Sequence, residues 1–177
     1  PIGAHCHHHG AHNSYCPGCG EPGETFEHLF TCPNADLVKL RQSARLKVRR
    51  MLRQEKFPWR VLQVIDMILR TVMNHEKPED FQAQWRYTQK WIWEKQQQIG
   101  LMEMVKGWIT KAWVQVLAEY DDTDPAGQAA KLVTVMWEVV CEPIWERRNN
   151  ILAGSDNPTV LKETRTLREK VLWYKRF

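Results

Sequence analysis

Cys16-Pro17-Gly18-Cys19 and, after a short spacer, Thr25-Phe26-Glu27-His28-Leu29-Phe30-Thr31-Cys32-Pro33 carry three thiols and one imidazole at a spacing that closes around a single metal ion. Zn2+ prefers four thiolate or imidazole ligands in a tetrahedron, and structural sites pair a two-residue Cys turn with a second pair one helical turn apart. Pro17 and Gly18 favour the tight turn that aims both sulfurs inward, and Gly20 is expected to take a positive φ as the chain leaves the metal. Thr25 suits a helix N-cap, whereas Pro33 cannot continue a helix. On a short helix between them His28 and Cys32 share one face, one turn apart. The expected ligands are therefore Cys16, Cys19, His28 and Cys32, the expected cofactor is Zn2+, and Phe26, Leu29 and Phe30 form an apolar cap beneath it.

The competing reading is a redox-active or disulfide-forming Cys-x-x-Cys, which calls for a strand-helix setting that this stretch lacks. Five cysteines, an odd set, with no signal-like apolar segment suit a reducing, intracellular setting, nucleus or cytoplasm. Upstream, His5, Cys6, His7, His8, His9 and His12 read as a polar loop that scavenges metal, with an ordered second site as the alternative. Cys141, alone in a long helical stretch, reads as a small core residue.

The chain has 177 residues, enough for one domain or a small module plus a larger one with a real core. Pro1 in place of an initiator methionine reads as a piece of a longer polypeptide. No apolar run reaches the length of a membrane span, so no membrane partner is expected. Nine tryptophans point to a helical part packed with large rings. The net charge of +4 is unevenly spread: between Lys39 and Arg60 nine basic residues face Glu55 alone.

After Pro33 a helical period dominates. Leu37, Leu40, Ala44, Val48 and Leu52 recur at three or four, and Arg41, Arg45, Arg49 and Arg53 form a parallel ridge. With Arg50, these arginines are the candidate phosphate contacts, the competing reading being an ordinary solvated helix surface. Pro58 opens a helix running towards His75 that is apolar on both sides. Further helices are expected over residues 80–98 and 101–120, and Asp121-Asp122-Thr123-Asp124-Pro125 reads as a solvated loop. From Ala129 to Leu152 the chain is again apolar, with Pro143 kinking or dividing the helix and Gly154 capping it. Asn157-Pro158 opens a last helix through Leu161, Leu167 and Val171. The fold class is mainly α: residues 1–35 form a small CCHC zinc module with a His-rich N-terminal segment, and residues 36–177 a Trp-rich, all-α bundle of about five or six helices.

The stretch Cys16-Pro17-Gly18-Cys19-Gly20, Glu24-Thr25-Phe26-Glu27-His28-Leu29-Phe30 and Cys32-Pro33 resembles the zinc-binding domain found C-terminal to the reverse transcriptase of non-LTR retrotransposons. The likeness covers roughly residues 14 to 35. The resemblance implies that Cys16, Cys19, His28 and Cys32 are the metal ligands, that a polymerase lies upstream in the same polypeptide, and that the module helps hold template RNA or target DNA. More loosely, Ile99-Gly100, Gly107-Trp108-Ile109, Lys111-Ala112-Trp113, Trp137-Glu138 and Trp145-Glu146-Arg147-Arg148-Asn149 resemble the helical tails that follow this module in retrotransposon-like open reading frames.

The expected function is thus a zinc-stabilised nucleic-acid-binding segment of a retroelement reverse transcriptase, with RNA or DNA as partner. The alternative is a zinc-braced helical module for protein-protein interaction or self-association. The segment itself reads as non-catalytic. Paired aspartates in a strand-turn-strand setting are missing, and although Arg148-Asn149 resembles the Arg-Asn-x-x-x-His motif of some helical ribonucleases, Ala153 stands where the histidine would be.

Overall fold

Three short polar side chains fix where helices begin. In the computed structural model, which describes residues 15–22, 24–78, 83–120 and 124–153, the Thr25 hydroxyl accepts from the His28 amide at 3.1 Å and opens α1 (Phe26–Thr31). Asn34 Oδ1 accepts from the amides of Asp36 and Leu37 and opens α2 (Ala35–Gln54). The Asp124 carboxylate accepts from the Gly127 amide and, with Pro125 in the first turn, opens α7 (Pro125–Met136). Between them lie α3 (Trp59–Asn74), α4 (Tyr87–Ile99), α5 (Leu101–Val105) and α6 (Lys111–Ala118); a π-helical turn (Trp137–Cys141) and α8 (Glu142–Ala153) follow. The protein is mainly helical, with a Cys/His cluster at the N-terminal end of a helical bundle. The described residues hold no strand, only an isolated bridge between Tyr15 and Pro22. His5, Cys6, His7, His8, His9 and His12, Phe81, Asp121, Asp122 and Thr123, Gly154 and the helix expected from Asn157 lie outside the described residues.

The helices α2 and α3 carry the core. Helix α3 buries Val61, Leu62, Val64, Ile65, Met67, Ile68, Leu69, Val72 and Met73, apolar on both sides as its sequence requires, and it packs against α1, α2, α4 and α5. Helix α2 buries Leu37, Arg41, Ala44, Val48 and Leu52, leaving Leu40 half-buried. This corrects the expected face. At 100° per residue the row through positions 37, 41, 44, 48 and 52 holds the helical period better than one through 40, so a guanidinium enters the core where a leucine was expected.

Two expected helices break differently. The stretch foreseen as 80–98 becomes α4 only from Tyr87, because Gln89 Oε1 caps the Arg86 amide at 3.1 Å while Trp85, still outside the helix, packs edge-on against Trp93 at 5.5 Å. The stretch foreseen as 101–120 is divided into α5 and α6. Gly107 takes φ 96, its amide bonds to Met104 O and that of Trp108 to Glu103 O, the paired closure that ends a helix in a left-handed glycine. Pro143 acts as expected. Its ring cannot sit over the carbonyl four residues back in a regular ladder, and the widened π turn just before it absorbs that conflict. Within that turn Cys141 is a buried core residue whose Sγ donates to Val105 O at 2.8 Å, and burial pushes its thiol up to about 12.

The apolar interior runs without interruption from the Cys/His cluster into the bundle: Cys16, Leu29, Phe30 and Cys32 belong to the same cluster as Leu37, Val48, Ile68, Leu132 and Ile144. Helix α1 packs on α3 and α8, and α2 packs on α7, the π turn and α8.

Candidate metal centre

The Cys16-to-Cys19 turn is shaped by its own backbone. The Cys16 amide donates to Glu21 O and the Gly20 amide to Cys16 O, both at 2.8 Å, while Gly20 takes φ 78, the positive value the sequence called for. Asn34 locks this turn to the second pair: while its Oδ1 caps α2, its Nδ2 donates to Gly18 O at 3.0 Å. The one side chain therefore fixes the Cys turn against the start of α2. His28 and Cys32 are held by α1 and its C-terminal closure, where the Cys32 amide donates to His28 O.

These elements bring all four predicted ligands together. The donor atoms of Cys16, Cys19, His28 and Cys32 lie within 4.8 Å of one another. Cys16 Sγ and Cys32 Sγ are 3.7 Å apart, and Cys19 Sγ is 3.2 Å from His28 Nε2. A tetrahedral ion about 2.3 Å from each sulfur sets sulfur-sulfur edges of about 3.8 Å, so the donor set fits a metal ion such as zinc. Cys16, Cys19 and Cys32 are all free thiols, so the Cys16-to-Cys19 pair forms no disulfide. Burial, aided by the neighbouring thiols and opposed by a backbone hydrogen bond at Asn34, pushes the Cys32 thiol up to about 12. A coordinated divalent cation reverses that, because a ligating thiol is deprotonated outright.

Beneath the cluster Leu29 and Phe30 are each 1% exposed, as the apolar cap requires. Phe26 is half-buried, its ring 5.0 Å from that of Phe30 and 5.5 Å from the Lys106 ammonium, which also pairs with Glu27 and Glu103. Phe30 is sealed and presents no ring face to solvent.

The predicted phosphate contacts divide. Arg41 is a correction: it is buried, with Nη1 donating to Leu29 O at 3.2 Å and Nη2 to Cys32 O at 2.8 Å, so it belongs to the floor of the Cys/His cluster. Burial lowers its pKa, and the Cys32 sulfur opposes that fall. Arg45 is half-buried and 3.6 Å from Asp66. Arg49, Arg50 and Arg53 are exposed. The ridge is not straight because each step of four residues turns about 40° around the helix, carrying the row from the core at Arg41 to solvent at Arg53.

Sequence reading missed a second buried arginine. Arg148 of α8 donates Nε to Glu24 Oε1 at 2.9 Å and Nη2 to Oε2, a fork that clamps the residue before Thr25 to the last described helix. A separation of 124 residues leaves no local pattern to betray such a pair. Arg41 did leave a signal, its place in the row with Leu37 and Ala44. Comparison of the chain with protein-family models, curated proteins and solved structures found no match.

Proposed function

We propose that this chain is a zinc-stabilised nucleic-acid-binding segment, of the kind that follows the polymerase of non-LTR retrotransposon reverse transcriptases, and that it grips the RNA or DNA backbone. The observation that carries the reading is the distribution of charge on α2, the helix that leaves the Cys/His cluster. Lys39, Lys47, Arg49, Arg50 and Arg53 are all exposed. At 100° per residue they fall within about 160° of arc, centred opposite the buried row. A helix that is apolar and metal-braced on one side and cationic on the other presents phosphates with a fixed array of partners. Zn2+ supplies order: coordination contributes on the order of 10 kcal/mol to a small domain.

Labelled RNA hairpin and DNA duplex titrated with the chain at 50 to 200 mM salt, roughly the range over which phosphate contacts show themselves, test the reading. Five phosphate contacts give a slope of log affinity on log salt of about −3.5 to −4.5. Arg49→Glu combined with Arg53→Glu should flatten it. Binding that ignores salt, or survives those reversals, removes the proposal. The second reading, a zinc-braced interaction or self-association module, draws on exposed Trp59, Trp108 and Trp137. Sedimentation of the zinc-loaded chain separates it from the first, since self-association through those rings is broken by their replacement and indifferent to the charge reversals.

A further inference from the structure

The two buried arginines are treated differently by the fold. Arg148 faces the carboxylate of Glu24 in a bidentate pair. Arg41, 5% exposed, meets only two backbone carbonyls, and no carboxylate lies within ion-pair reach of it among the described residues. A buried charge without a counter-charge is costly enough that folded proteins pair it or bind a metal beside it. The missing anion stands next door. One of the two carbonyls belongs to Cys32, and a divalent ion held by three thiolates and a neutral imidazole carries one unit of excess negative charge.

We propose that Arg41 is the counterion of the metal centre: its guanidinium balances the net negative Cys3His cluster, and the loaded cluster in turn makes the burial of Arg41 tolerable. This rests on the zinc reading above and is independent of nucleic-acid binding. Arg41 is a positioning residue, not a ligand. Its two hydrogen bonds hold the carbonyls at the end of α1, so the same side chain fixes the second ligand pair and offsets its charge. Metal loading and the seating of α2 are coupled through it.

The test changes the charge of the cluster and asks whether Arg41 notices. Zinc affinity of the full chain is measured by competition with a chromophoric chelator, with cobalt substitution counting the thiolates. Arg41→Gln should weaken zinc about 10- to 100-fold, the range found when groups supporting metal ligands are removed. Arg41→Lys, which keeps the charge but not the planar fork, should recover most of that loss. In a Cys19→His background the cluster is neutral, and Arg41→Gln should there change affinity by no more than a few-fold. Equal losses in both backgrounds would reduce Arg41 to a mechanical tether and overturn the proposal, as would no loss in either. Should Arg41→Gln fail to fold, Arg41→Lys carries the test: zinc affinity within a few-fold of wild type in the three-thiolate cluster supports charge balance, and a loss of about 10- to 100-fold there makes the planar fork rather than the charge the working part and overturns the proposal. A wild-type chain that takes up no zinc overturns the metal reading and this inference with it.

Discussion

Arg148→Met should destabilise the protein by about 3–5 kcal/mol, the loss seen when one member of a buried ion pair is removed. The Arg148 and Glu24 side chains are only 7% and 4% exposed, and the guanidinium fork reaches both carboxylate oxygens. Methionine fills the space of the stem but leaves the Glu24 carboxylate sealed beside α1 with no cation. For a domain of ordinary stability, about 5–15 kcal/mol, that is roughly a fifth or more of the total. Urea denaturation at saturating zinc, followed by the fluorescence of the nine tryptophans and by circular dichroism, measures it. Glu24→Leu combined with Arg148→Met should regain most of the loss, because an apolar pair of similar volume carries no desolvation penalty. The adjacent arginine is the internal control. Arg147 pairs with Asp36 across the surface, with 40% and 51% of the two side chains exposed, so Arg147→Ala should cost under about 1 kcal/mol. If the two arginine variants cost the same, or the double variant is no better than Arg148→Met, burial is not what gives the Glu24 pair its weight.

Gln96→Leu should cost about 3 kcal/mol in the same denaturation assay, since it strands the Trp113 indole N–H and the carbonyls of Gly100 and Trp108, all held by one amide in the interior; a loss under about 1 kcal/mol would mean water replaces it. Glu76 is held below its ordinary value of 4.5 by hydrogen bonds from Asn74 and then Arg70, so its stabilisation is present above pH 4.5 and is lost as pH falls through the lowered value. Glu76→Gln should therefore cost under about 1 kcal/mol at neutral pH and nothing in acid, and a gap between variant and wild-type melting temperatures that widens below pH 4.5 would contradict the assignment.

Local chemistry made much of the centre legible. Cys16-Pro17-Gly18-Cys19 is a turn because proline and glycine sit at the positions a tight turn demands, and His28 and Cys32 face one way because one helical turn separates them. Gly20, Thr25 and Pro33 were readable for the same reason: a steric or capping rule acts over a few residues. Where such rules met a tertiary contact, the contact won. Trp85 fell within the helix expected over residues 80–98, but it stands before α4 and its ring packs on Trp93 of that helix. The run after Leu101 keeps its apolar period across Gly107, so periodicity could not show the break that the left-handed glycine makes.

A mainly helical chain, the four sulfur and imidazole donors and a cationic α2 could all be read locally, because each depends on neighbours within one or two turns. Which arginines face solvent is set by how the helices pack. Arg41 and Arg53 are the same residue type on the same helix, and what separates them is a rotation that carries one beneath the Cys/His cluster and the other to the surface. Glu24 and Arg148 meet only because α8 returns to α1. Long-range packing selects partners by burial and charge balance, and neither quantity is defined until the chain has closed on itself.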